Sequence, residues 1–579
     1  MAFGYHGSYL RIDVSTGTAT RVPLAEDVLR RYIGGSGLGA RLLLDEGGAT
    51  ADPLSPDAPL IFAFSPLVGS PLTTSAKFAV VSKSPLTGRF NDSLASSGFA
   101  LAGKRSGADA IVVVGRAPEL SVLVIDDGDV RLEPAADVRG DSCPATEEKL
   151  RARLGAEFRI ASIGPAGERA VRYATISHDG RHAGRGGSGA VLGSKNIKAI
   201  ALRGTKYSQY ADPRRVTELS RDLSRRSMGP ATAKYRELGT ATNILTFNRF
   251  GTLPTRNFQR GTFDEAPKLS PEELSTGRAK TRASCVACTI GCEHIYSIAN
   301  DGGSARVEYE SLFALGSLCG VSDAEAVLRA TRRCDELGLD TISAGGTIAF
   351  AMECVERGLL DEPWLQFGSG DALLRALDLI GRREGLGDLL AEGSRRAAES
   401  IGGGSLAFAP QVKGLEIPGY EPRALQTMAL GFAVGARGAD HNRSGAYEVD
   451  FSNKVDRRHA TLTSVTHAIE TEDRAALMDS LILCKFLRGV FTDFYGESAT
   501  MLQAITGWDV TADELHAAAR RIVAARQEFN RRAGWTAAED TLPDRFLDTP
   551  LSTDPEAVLT RERLDALVTE YHRQRAAEQ

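Results

Sequence analysis

The stretch Val122-Leu123-Val124-Ile125-Asp126-Asp127-Gly128-Asp129-Val130-Arg131-Leu132 decides the structural class of the first third of the chain. Two short apolar runs flank an Asp-Asp-Gly-Asp turn, which is typical of a β-hairpin. Similar apolar runs occur between turn signals at 9–14, 60–64, 78–81, 110–114 and 197–202. Because these runs do not alternate with long helical segments, a parallel Rossmann sheet is not expected. The sequence predicts a β-rich first domain with mixed or antiparallel sheets.

The sequence becomes helical in character after about residue 212. Ser322-Asp323-Ala324-Glu325 and Thr511-Ala512-Asp513-Glu514 both read as capping boxes that begin helices. The first of these helices is expected to end near Gly338, since glycine is favoured where a helix terminates. A chain of 579 residues is too long for a single core, so about three domains are expected. The predicted fold class is α+β, with a β-rich first domain followed by two mainly α-helical domains.

Composition excludes several kinds of partner. A net charge of −5 and a pI near 6.1 do not provide the basic face that nucleic-acid binding needs. The weakly polar stretch at 428–436 is too short to span a membrane, and the first residues lack a signal-peptide pattern. Eight cysteines are too few for a secreted disulfide framework of this length. We therefore expect a cytoplasmic protein without nucleic-acid or membrane partners.

The most specific motif is a cysteine triplet, Cys285-Val286-Ala287-Cys288-Thr289-Ile290-Gly291-Cys292. Thiolates with this spacing can bind three corners of an iron–sulfur cluster or a tetrahedral zinc ion. Cys484 is the best candidate for the fourth ligand. One C-x2-C-x3-C motif with a distant fourth cysteine favours a cluster, and structural zinc stays open as the alternative. The other cysteines follow no ligand spacing and are expected to be buried apolar residues: Cys143, Cys319, Cys334 and Cys354.

Two hexapeptides share the pattern Asp-x-Leu-x-Leu-x. They are Asp335-Glu336-Leu337-Gly338-Leu339-Asp340 and Asp479-Ser480-Leu481-Ile482-Leu483-Cys484. Each is expected at the end of a helix, where the backbone amides of the following residues would face a ligand. The pair predicts two similar sites for two copies of one ligand, with a metal cluster beside one of them.

A glycine-rich stretch at 183–195 contains Gly186, Gly187 and Gly189 between Arg185 and Lys195. Successive glycine N–H groups can surround an anion, and the two basic residues add charge. The stretch matches neither the Walker pattern nor the strand–GxGxxG–helix context of a dinucleotide site. A flexible loop is the alternative interpretation.

Three further residues are candidates because of their type and setting. Glu310 precedes an apolar, helix-like run, and His441 follows glycines. Either side chain could transfer protons if burial shifts its pKa, although a structural carboxylate or a surface histidine is the simpler interpretation. Lys77, on a predicted strand, becomes functional only beside a phosphate or a cluster sulfur.

Taken together, these segments resemble the tungsten-containing aldehyde:ferredoxin oxidoreductase family. The resemblance is carried, in order, by 7–17, 83–88, 163–168, 183–200, 308–311, 334–343, 413–418 and 542–546. It implies a β-rich base for a pterin cofactor at 1–208 and a helical domain with the cysteine triplet and the first hexapeptide at 209–417. A second helical domain at 418–579 would then contain the second hexapeptide and Cys484.

The resemblance also implies the cofactors. These are tungsten, or in some members molybdenum, bound by two molybdopterins, a Mg²⁺ ion that bridges the pterin phosphates, and a [4Fe–4S] cluster. The implied cluster ligands are Cys285, Cys288, Cys292 and Cys484. The implied pterin-site residues are Lys77, Arg185, Gly186, Gly187, Gly189, Asp335, Gly338, Leu339, Asp340, Asp479 and Leu483. Glu310 and His441 fall near the metal, so their implied role is proton transfer.

The implied reaction is oxidation of an aldehyde to a carboxylic acid, or the reverse. Electrons would pass through the cluster to a ferredoxin or a ferredoxin-like subunit. Alternatives are another low-potential reduction with the same cofactor, such as that of an aromatic acyl thioester, or oxidation of a phosphorylated aldehyde. A cofactor-poor homologue that transfers electrons or acts as a scaffold is a further alternative.

Several positions depart from the family pattern. Ile482 replaces a preferred glycine, and a β-branched residue is less able to adopt an unusual dihedral angle. Lys77 replaces a common arginine, which keeps the charge but loses the bidentate fork. Arg329 and Arg332 occupy the helix on which some members bind an interfacial iron, so any homo-oligomer is expected to lack a bridging iron.

Overall fold

The computed structural model describes residues 3–299 and 302–577. Its first domain contains two sheets, whose strands are β1 (Ser8–Asp13), β2 (Thr18–Pro23), β3 (Leu60–Ala63), β4 (Lys77–Lys83), β5 (Phe90–Ser96), β6 (Ala110–Val114), β7 (Ser121–Asp126), β8 (Asp129–Pro134), β9 (Arg159–Ser162), β10 (Ile176–His178), β11 (Arg181–Ala183) and β12 (Ile197–Arg203). Its helices are α1 (Glu26–Tyr32), α2 (Gly35–Asp45), α3 (Gly98–Arg105), α4 (Cys143–Leu154), α5 (Pro165–Glu168) and α6 (Ser188–Ser194).

Both sheets are mixed and mainly antiparallel, as the sequence predicts. The six-stranded order is β2-β1-β6-β3-β4-β5 in one sheet and β11-β10-β9-β12-β7-β8 in the other. Each contains one parallel pair, β1 with β6 and β12 with β7. The stretch at 122–132 forms the predicted hairpin, in which Ile125 pairs with Val130 across the turn.

The two sheets pack face to face because alternate residues of their strands are apolar on the shared side. Phe62 and Val80 of the first sheet belong to one buried cluster with Leu123 and Ile200 of the second. The opposite face of the first sheet is covered by α2 and by helices from the end of the chain, with Phe529 in that cluster. The C-terminal helices are therefore packed directly on the β-rich base.

The rest of the chain is mainly helical. It contains the strands β13 (Lys280–Ala283), β14 (Glu293–Ser297), β15 (Ser304–Val307), β16 (Gln411–Val412) and β17 (Leu415–Glu416). Its first helices are α7 (Pro213–Ser227), α8 (Pro230–Leu238), α9 (Asn243–Arg249), α10 (Pro271–Leu274), α11 (Tyr309–Leu315), α12 (Ala324–Leu337), α13 (Thr341–Glu356), α14 (Gly370–Arg382), α15 (Leu386–Leu390) and α16 (Ser394–Ile401). The later helices are α17 (Gln426–Ala433), α18 (His441–Ser444), α19 (Tyr447–Asp450), α20 (Leu462–Leu481), α21 (Phe494–Thr506), α22 (Ala512–Arg532) and α23 (Arg561–Ala577).

One apolar cluster continues through both helical regions. It joins Leu312 and Phe350 to Met428 and Tyr571, and so crosses the predicted boundary at 417/418. The α+β class is confirmed, and the division of the helical part into two domains stays a prediction.

One of the two predicted helix starts differs in detail. Asp323, rather than Ser322, caps α12, because its carboxylate accepts from the N–H of Glu325. Thr511 caps α22 as predicted and accepts from the N–H of Glu514. Either residue supplies an oxygen to the free amides of a first helical turn.

The four cysteines without ligand spacing are fully buried, as predicted: Cys143, Cys319, Cys334 and Cys354. Across 3–299 and 302–577, no helix is long and apolar enough to cross a lipid bilayer.

Candidate functional site

The two hexapeptides have the same backbone conformation. Asp335 lies in the last turn of α12, and Gly338 after it is left-handed, with φ 73° and ψ 49°. Asp479 lies in the last turn of α20, and Ile482 after it has φ 68° and ψ 28°. The predicted similarity of the two segments therefore extends to their three-dimensional structure.

The backbone amides of these segments do not face a ligand, which is where the sequence interpretation was wrong. The N–H groups of Gly338 and Leu339 donate to the carbonyl of Cys334, and those of Ile482 and Leu483 donate to Met478 in the same way. These bonds satisfy carbonyls at the helix ends, as in a Schellman-type cap. Side chains and carbonyl oxygens are the groups left to hold a ligand.

Ile482 keeps the left-handed conformation in spite of its branched side chain. A non-glycine residue there costs roughly 1–2 kcal/mol of conformational energy. The Ile482 side chain is fully buried and packs against the start of α2. A Cβ atom on Gly35 would lie 2.6 Å from the Ile482 Cδ1 atom. The glycine-rich start of α2 therefore makes room for the second hexapeptide.

The first hexapeptide is attached to the β-rich base. The N–H of Thr175 donates to the carbonyl of Gly338 at 2.8 Å, and the N–H of Asp340 donates to Tyr173 at 3.1 Å. The neighbouring carbonyl of Ala174 accepts from the N–H of Gly189 at 2.9 Å. One segment, 173–175, thus positions both the first hexapeptide and the glycine-rich loop.

The two aspartates of the first hexapeptide have basic neighbours. Asp340 caps α13, and its Oδ2 atom lies 3.3 Å from Nε of Arg185. Asp335 lies 3.3 Å from Nε2 of His182, a residue that sequence reasoning missed. Burial raises the pKa of Asp335 to about 7 and lowers that of His182 to about 3. His182 is therefore uncharged at neutral pH, and the contact is not a full ion pair.

The glycines of the loop are required by packing against the protein itself. Gly186 and Gly187 have φ of 83° and 84°, which only glycine adopts readily. Cβ atoms would overlap Asn91 at Gly186, the carbonyl of Arg172 at Gly187 and the carbonyl of Thr175 at Gly189.

Two groups of this loop that the sequence assigned to an anion site are engaged within the protein instead. The Gly189 N–H group is engaged within the protein, so it does not contribute to an anion nest. Lys195 is turned away and donates to the carbonyl of Pro56 at 3.2 Å. The Oδ1 atom of Asn91 is buried without a hydrogen-bond partner among the described residues.

A buried charge cluster, absent from the sequence prediction, lies between the loop and the second hexapeptide. Asp92 lies 2.7 Å from Nε of Arg443 and 3.2 Å from Nη2 of Arg526. The guanidinium groups hold the pKa of Asp92 well below its usual range, although burial opposes them. Arg443 also lies 3.3 Å from Asp479, so the cluster reaches the second hexapeptide.

Arg437 also belongs to this cluster and has two unused donor atoms. Its Nη1 atom lies 3.1 Å from Oδ2 of Asp440. Its Nε and Nη2 atoms are buried without a hydrogen-bond partner among the described residues. Burial lowers the pKa of Arg437 to about 10, and Asp440 opposes this. Unsatisfied buried donors are costly, so this arrangement fits an anionic group such as a pterin phosphate.

The four candidate cluster cysteines are free and partly buried, and Cys288, Cys292 and Cys484 pack against one apolar cluster. Cys285, Cys288 and Cys292 lie in the turn between β13 and β14, and the N–H of Cys288 donates to the carbonyl of Cys285 at 3.2 Å. Within the described residues, no three His, Cys, Asp or Glu side chains are close enough together to hold a single metal ion.

A short segment of the base domain joins the two cysteine segments. The Oγ1 atom of Thr74 accepts from the N–H of Cys484 at 3.2 Å, and the N–H of Thr74 donates to the carbonyl of Ala287. Thr73 accepts from the N–H of Thr289 at 3.1 Å. Neither threonine was predicted, because nothing in the local sequence marks them.

Lys77 lies between the cysteines and the second hexapeptide. Burial lowers its pKa, but negative charge at Cys484, Cys285 and Asp479 outweighs burial, and the pKa is raised overall. The ammonium group therefore remains charged. Asp479 is itself paired with Lys485, whose Nζ atom lies 2.9 Å from Oδ1.

Glu310 and His441 lie together. Glu310 is in the first turn of α11, and His441 begins α18. Their Oε1 and Nε2 atoms are 3.6 Å apart. The other carboxylate oxygen accepts from the N–H of Gly419 at 3.1 Å. The Tyr420 ring packs against the imidazole with centroids 4.9 Å apart and gives the pair an apolar wall.

Both members of this pair are uncharged at neutral pH. Burial raises the pKa of Glu310 to about 8, although Gly419 and Arg185 oppose the shift. Burial lowers the pKa of His441 to about 3, and Asp440 opposes it. A protonated carboxyl can donate and a neutral imidazole can accept, so the pair is suited to proton transfer.

A surface cavity of about 700 Å³ lies elsewhere, against Glu147, Arg151 and Asp179. None of the predicted site residues lines it.

Four thiols and a buried acid–base pair between a β-rich base and helical domains are features of a redox enzyme. The family model described as aldehyde ferredoxin oxidoreductase, N-terminal domain, matches residues 9–204, and the one described as domains 2 and 3 of the same enzyme matches 218–577. The chain therefore belongs to the aldehyde ferredoxin oxidoreductase family and is an oxidoreductase.

Individual relatives agree. The chain is 37% identical to a tungsten-containing aldehyde ferredoxin oxidoreductase of Pyrococcus furiosus, over 99% of this chain and 96% of the relative. It is 38% identical to that of Pyrococcus horikoshii, over 96% and 93%. A chain of the active-site complex BamBC of benzoyl coenzyme A reductase, in complex with 1,5-dienoyl-CoA, superposes with a TM-score of 0.85. That likeness covers 100% of this chain and 95% of the other at 24% identity, and it shows the fold alone.

Proposed function

We propose that this protein oxidises aldehydes to carboxylic acids and passes the electrons to a ferredoxin-type acceptor. The observation that carries the proposal is the uncharged Glu310–His441 pair, placed beside the first hexapeptide in a chain whose relatives are named tungsten-containing aldehyde ferredoxin oxidoreductases. Arg185 connects the two features, since it lies 3.3 Å from Asp340 and its charge acts on both Glu310 and His441.

The residues present fit a tungsten or molybdenum bis-molybdopterin. The two hexapeptides would each bind one pterin through Asp335 and Asp479 and through main-chain atoms of Gly338, Leu339, Asp340 and Leu483. Arg185 and the unused donors of Arg437 would bind phosphate groups, with Gly186, Gly187 and Gly189 shaping the loop. The unpartnered amide oxygen of Asn91, next to Gly186, is a group suited to the bridging Mg²⁺.

When bound, the metal supplies the acceptor for the two electrons of aldehyde oxidation. The acid–base pair handles the protons that oxidation releases. Protonated Glu310 can donate a hydrogen bond to the carbonyl oxygen of an aldehyde, and neutral His441 can accept a proton from attacking water. The apolar wall at Tyr420 excludes bulk water and favours an uncharged substrate.

Cys285, Cys288, Cys292 and Cys484 would hold a [4Fe–4S] cluster, with Lys77 between it and the second hexapeptide. A cluster of this kind passes electrons onward to an external acceptor. All eight cysteines are free, which fits the reducing cytoplasm predicted from the sequence.

The first experiment is metal analysis of protein purified without oxygen from a tungstate-fed host. About four iron atoms and about one tungsten per chain are expected. Aldehyde-dependent reduction of a viologen dye then tests the reaction. Zinc without iron would show the cluster assignment to be wrong, and metal-replete protein that oxidises no aldehyde would refute the reaction.

Two variants test the roles of the pair. Glu310→Gln and His441→Ala should each lower the dye-linked rate by about 10²-fold or more with metal content unchanged. Glu147→Gln is the matched control, because Glu147 is another buried carboxyl with a raised pKa, at about 7, away from the site. Full turnover in both site variants would remove the proton-transfer roles.

A further inference from the structure

An exposed apolar surface surrounds the cysteine loop. Val286, between two candidate cluster ligands, is 40% exposed. Met228, at the end of α7, is 59% exposed. The end of α7 and the cysteine loop are joined by a hydrogen bond of 2.6 Å between the hydroxyl groups of Ser227 and Thr289. Exposed large apolar side chains next to one another often mark a protein-binding surface.

Two aromatic rings extend this surface beside the candidate cluster cysteines. Tyr235 of α8 and Phe486, which follows Cys484, stack with centroids 4.0 Å apart and an interplanar angle of 16°. Both rings are only partly buried, and both pack on the same apolar cluster as the cysteines. The cysteine loop is therefore at the protein surface, with apolar groups around it.

The surrounding side chains are mainly cationic. Lys234, Arg236, Lys280 and Arg282 lie on α8 and β13, which contact each other where Arg282 donates to the carbonyl of Arg236 at 3.3 Å. Lys234, Lys280 and Arg282 are exposed.

Among residues 3–299 and 302–577, none of these four basic residues forms an ion pair with a carboxylate. Two carboxylates, Glu237 and Glu272, lie nearby. The local excess of positive charge contrasts with the net charge of −5 of the whole chain. Unpaired surface cations around an apolar centre attract a partner of opposite charge and speed its association.

We propose that this face, defined by Met228, Lys234, Tyr235, Lys280, Arg282 and Val286, is the docking site for an acidic iron–sulfur electron carrier. The inference rests on the proposed function, since it supplies the exit for the electrons of that reaction. In each encounter, a cluster held by the four cysteines would give one electron to the oxidised centre of the carrier. Two such transfers balance the oxidation of one aldehyde.

The test uses full-length protein and an acidic [4Fe–4S] ferredoxin as the probe. Lys234→Glu, Lys280→Glu and Arg282→Glu are combined in one variant. The matched control combines Arg139→Glu, Arg169→Glu and Arg382→Glu, which reverse three exposed charges on other elements. For each protein we would measure the Kd for oxidised ferredoxin, the KM for ferredoxin and the rate with a small viologen dye, at low and high salt.

At low salt, the docking variant should bind ferredoxin about tenfold or more weakly and show a matching rise in KM. The dye rate should be unchanged, which shows that the variant folds and holds its cofactors. At about 0.5 M salt the difference from the native protein should largely disappear, because exposed charges are screened. Met228→Ser should weaken ferredoxin binding at both salt concentrations, since its contribution is apolar.

Equal Kd values in the docking variant and the control, or in the docking variant and the native protein, would overturn the proposal. Binding of oxidised ferredoxin does not need aldehyde turnover. The docking proposal therefore succeeds or fails separately from the proposed reaction, which the dye-linked rate of the native protein tests.

Discussion

Replacing Gly35 with alanine should disturb the second hexapeptide, which is distant in sequence but in contact with Gly35. Gly35 has φ +42°, and a Cβ atom there would lie 2.6 Å from Cδ1 of Ile482 and closer still to the carbonyl oxygen of Asp479. The positive φ costs roughly 1–2 kcal/mol for any L-residue. Overlap with packed neighbours adds about 1–3 kcal/mol, since the backbone of α20 has to move. The expected loss of stability is therefore about 2–5 kcal/mol.

Gly47→Ala is the matched control. Gly47 follows α2, has φ +73°, and a methyl group added to it would have no neighbouring atom within 4 Å. It should show only the conformational cost of roughly 1–2 kcal/mol. Thermal unfolding of the two variants, together with tungsten per chain, separates the effects. Gly35→Ala should lose tungsten, and Gly47→Ala should keep it.

A double variant makes the reasoning sharper. Adding Ile482→Gly to Gly35→Ala removes the side-chain overlap but leaves the overlap with the carbonyl of Asp479. Tungsten content should therefore recover only in part. If Gly35→Ala is no less stable than Gly47→Ala and binds as much tungsten, the close packing of α2 on the second hexapeptide does not matter for the site.

Two further predictions concern the acid–base pair and the cysteines. Because the pKa of Glu310 is raised from 4.5 to about 8 in the folded protein, folding favours its protonated form, and this contribution to stability is lost as pH rises through that window. Glu310→Gln removes this pH dependence, so the stability of the variant relative to the native protein should improve from pH 5 to pH 8, by about 5 kcal/mol at most. Denaturant unfolding of the two cofactor-free proteins measures this change. A stability difference that stays constant with pH would contradict the raised pKa. Thr74→Val removes the acceptor for the N–H of Cys484 while keeping the side-chain shape. This variant should lower the free energy of unfolding by about 1 kcal/mol and speed the loss of iron to a chelator. Thr74→Ser should behave like the native protein. Equal rates of iron loss in both variants would argue against a role for this hydrogen bond.

The features that local sequence determines were predicted well. The hairpin at 122–132 forms because its turn and its apolar runs are adjacent in the chain. The likeness of the two hexapeptides, and their position at helix ends, likewise follows from short-range patterns. Resemblance to a family then singled out Glu310 and His441, but their contact with each other became visible only in the structure.

The missed features depend on contacts between distant parts of the chain. Asp92 meets Arg443 and Arg526 across more than 300 residues, and no local pattern marks any of them. The amides after Gly338 were misassigned because their partners become visible only once the helix end is built. Ile482 was expected to fit the left-handed conformation poorly. The space for its side chain could not be foreseen, because Gly35, which provides it, lies near the other end of the sequence.

The hydrogen bonds of Thr74 to both cysteine segments have a consequence for how the protein is made. Cys292 and Cys484 are separated by almost 200 residues, which a ribosome adds in roughly 10–40 s at about 5–20 residues per second. Throughout that interval the nascent chain carries three ligands of the proposed cluster and lacks the fourth. Binding of the complete cluster is therefore expected only after Cys484 has been added and its segment has folded back onto Thr74 in the first domain.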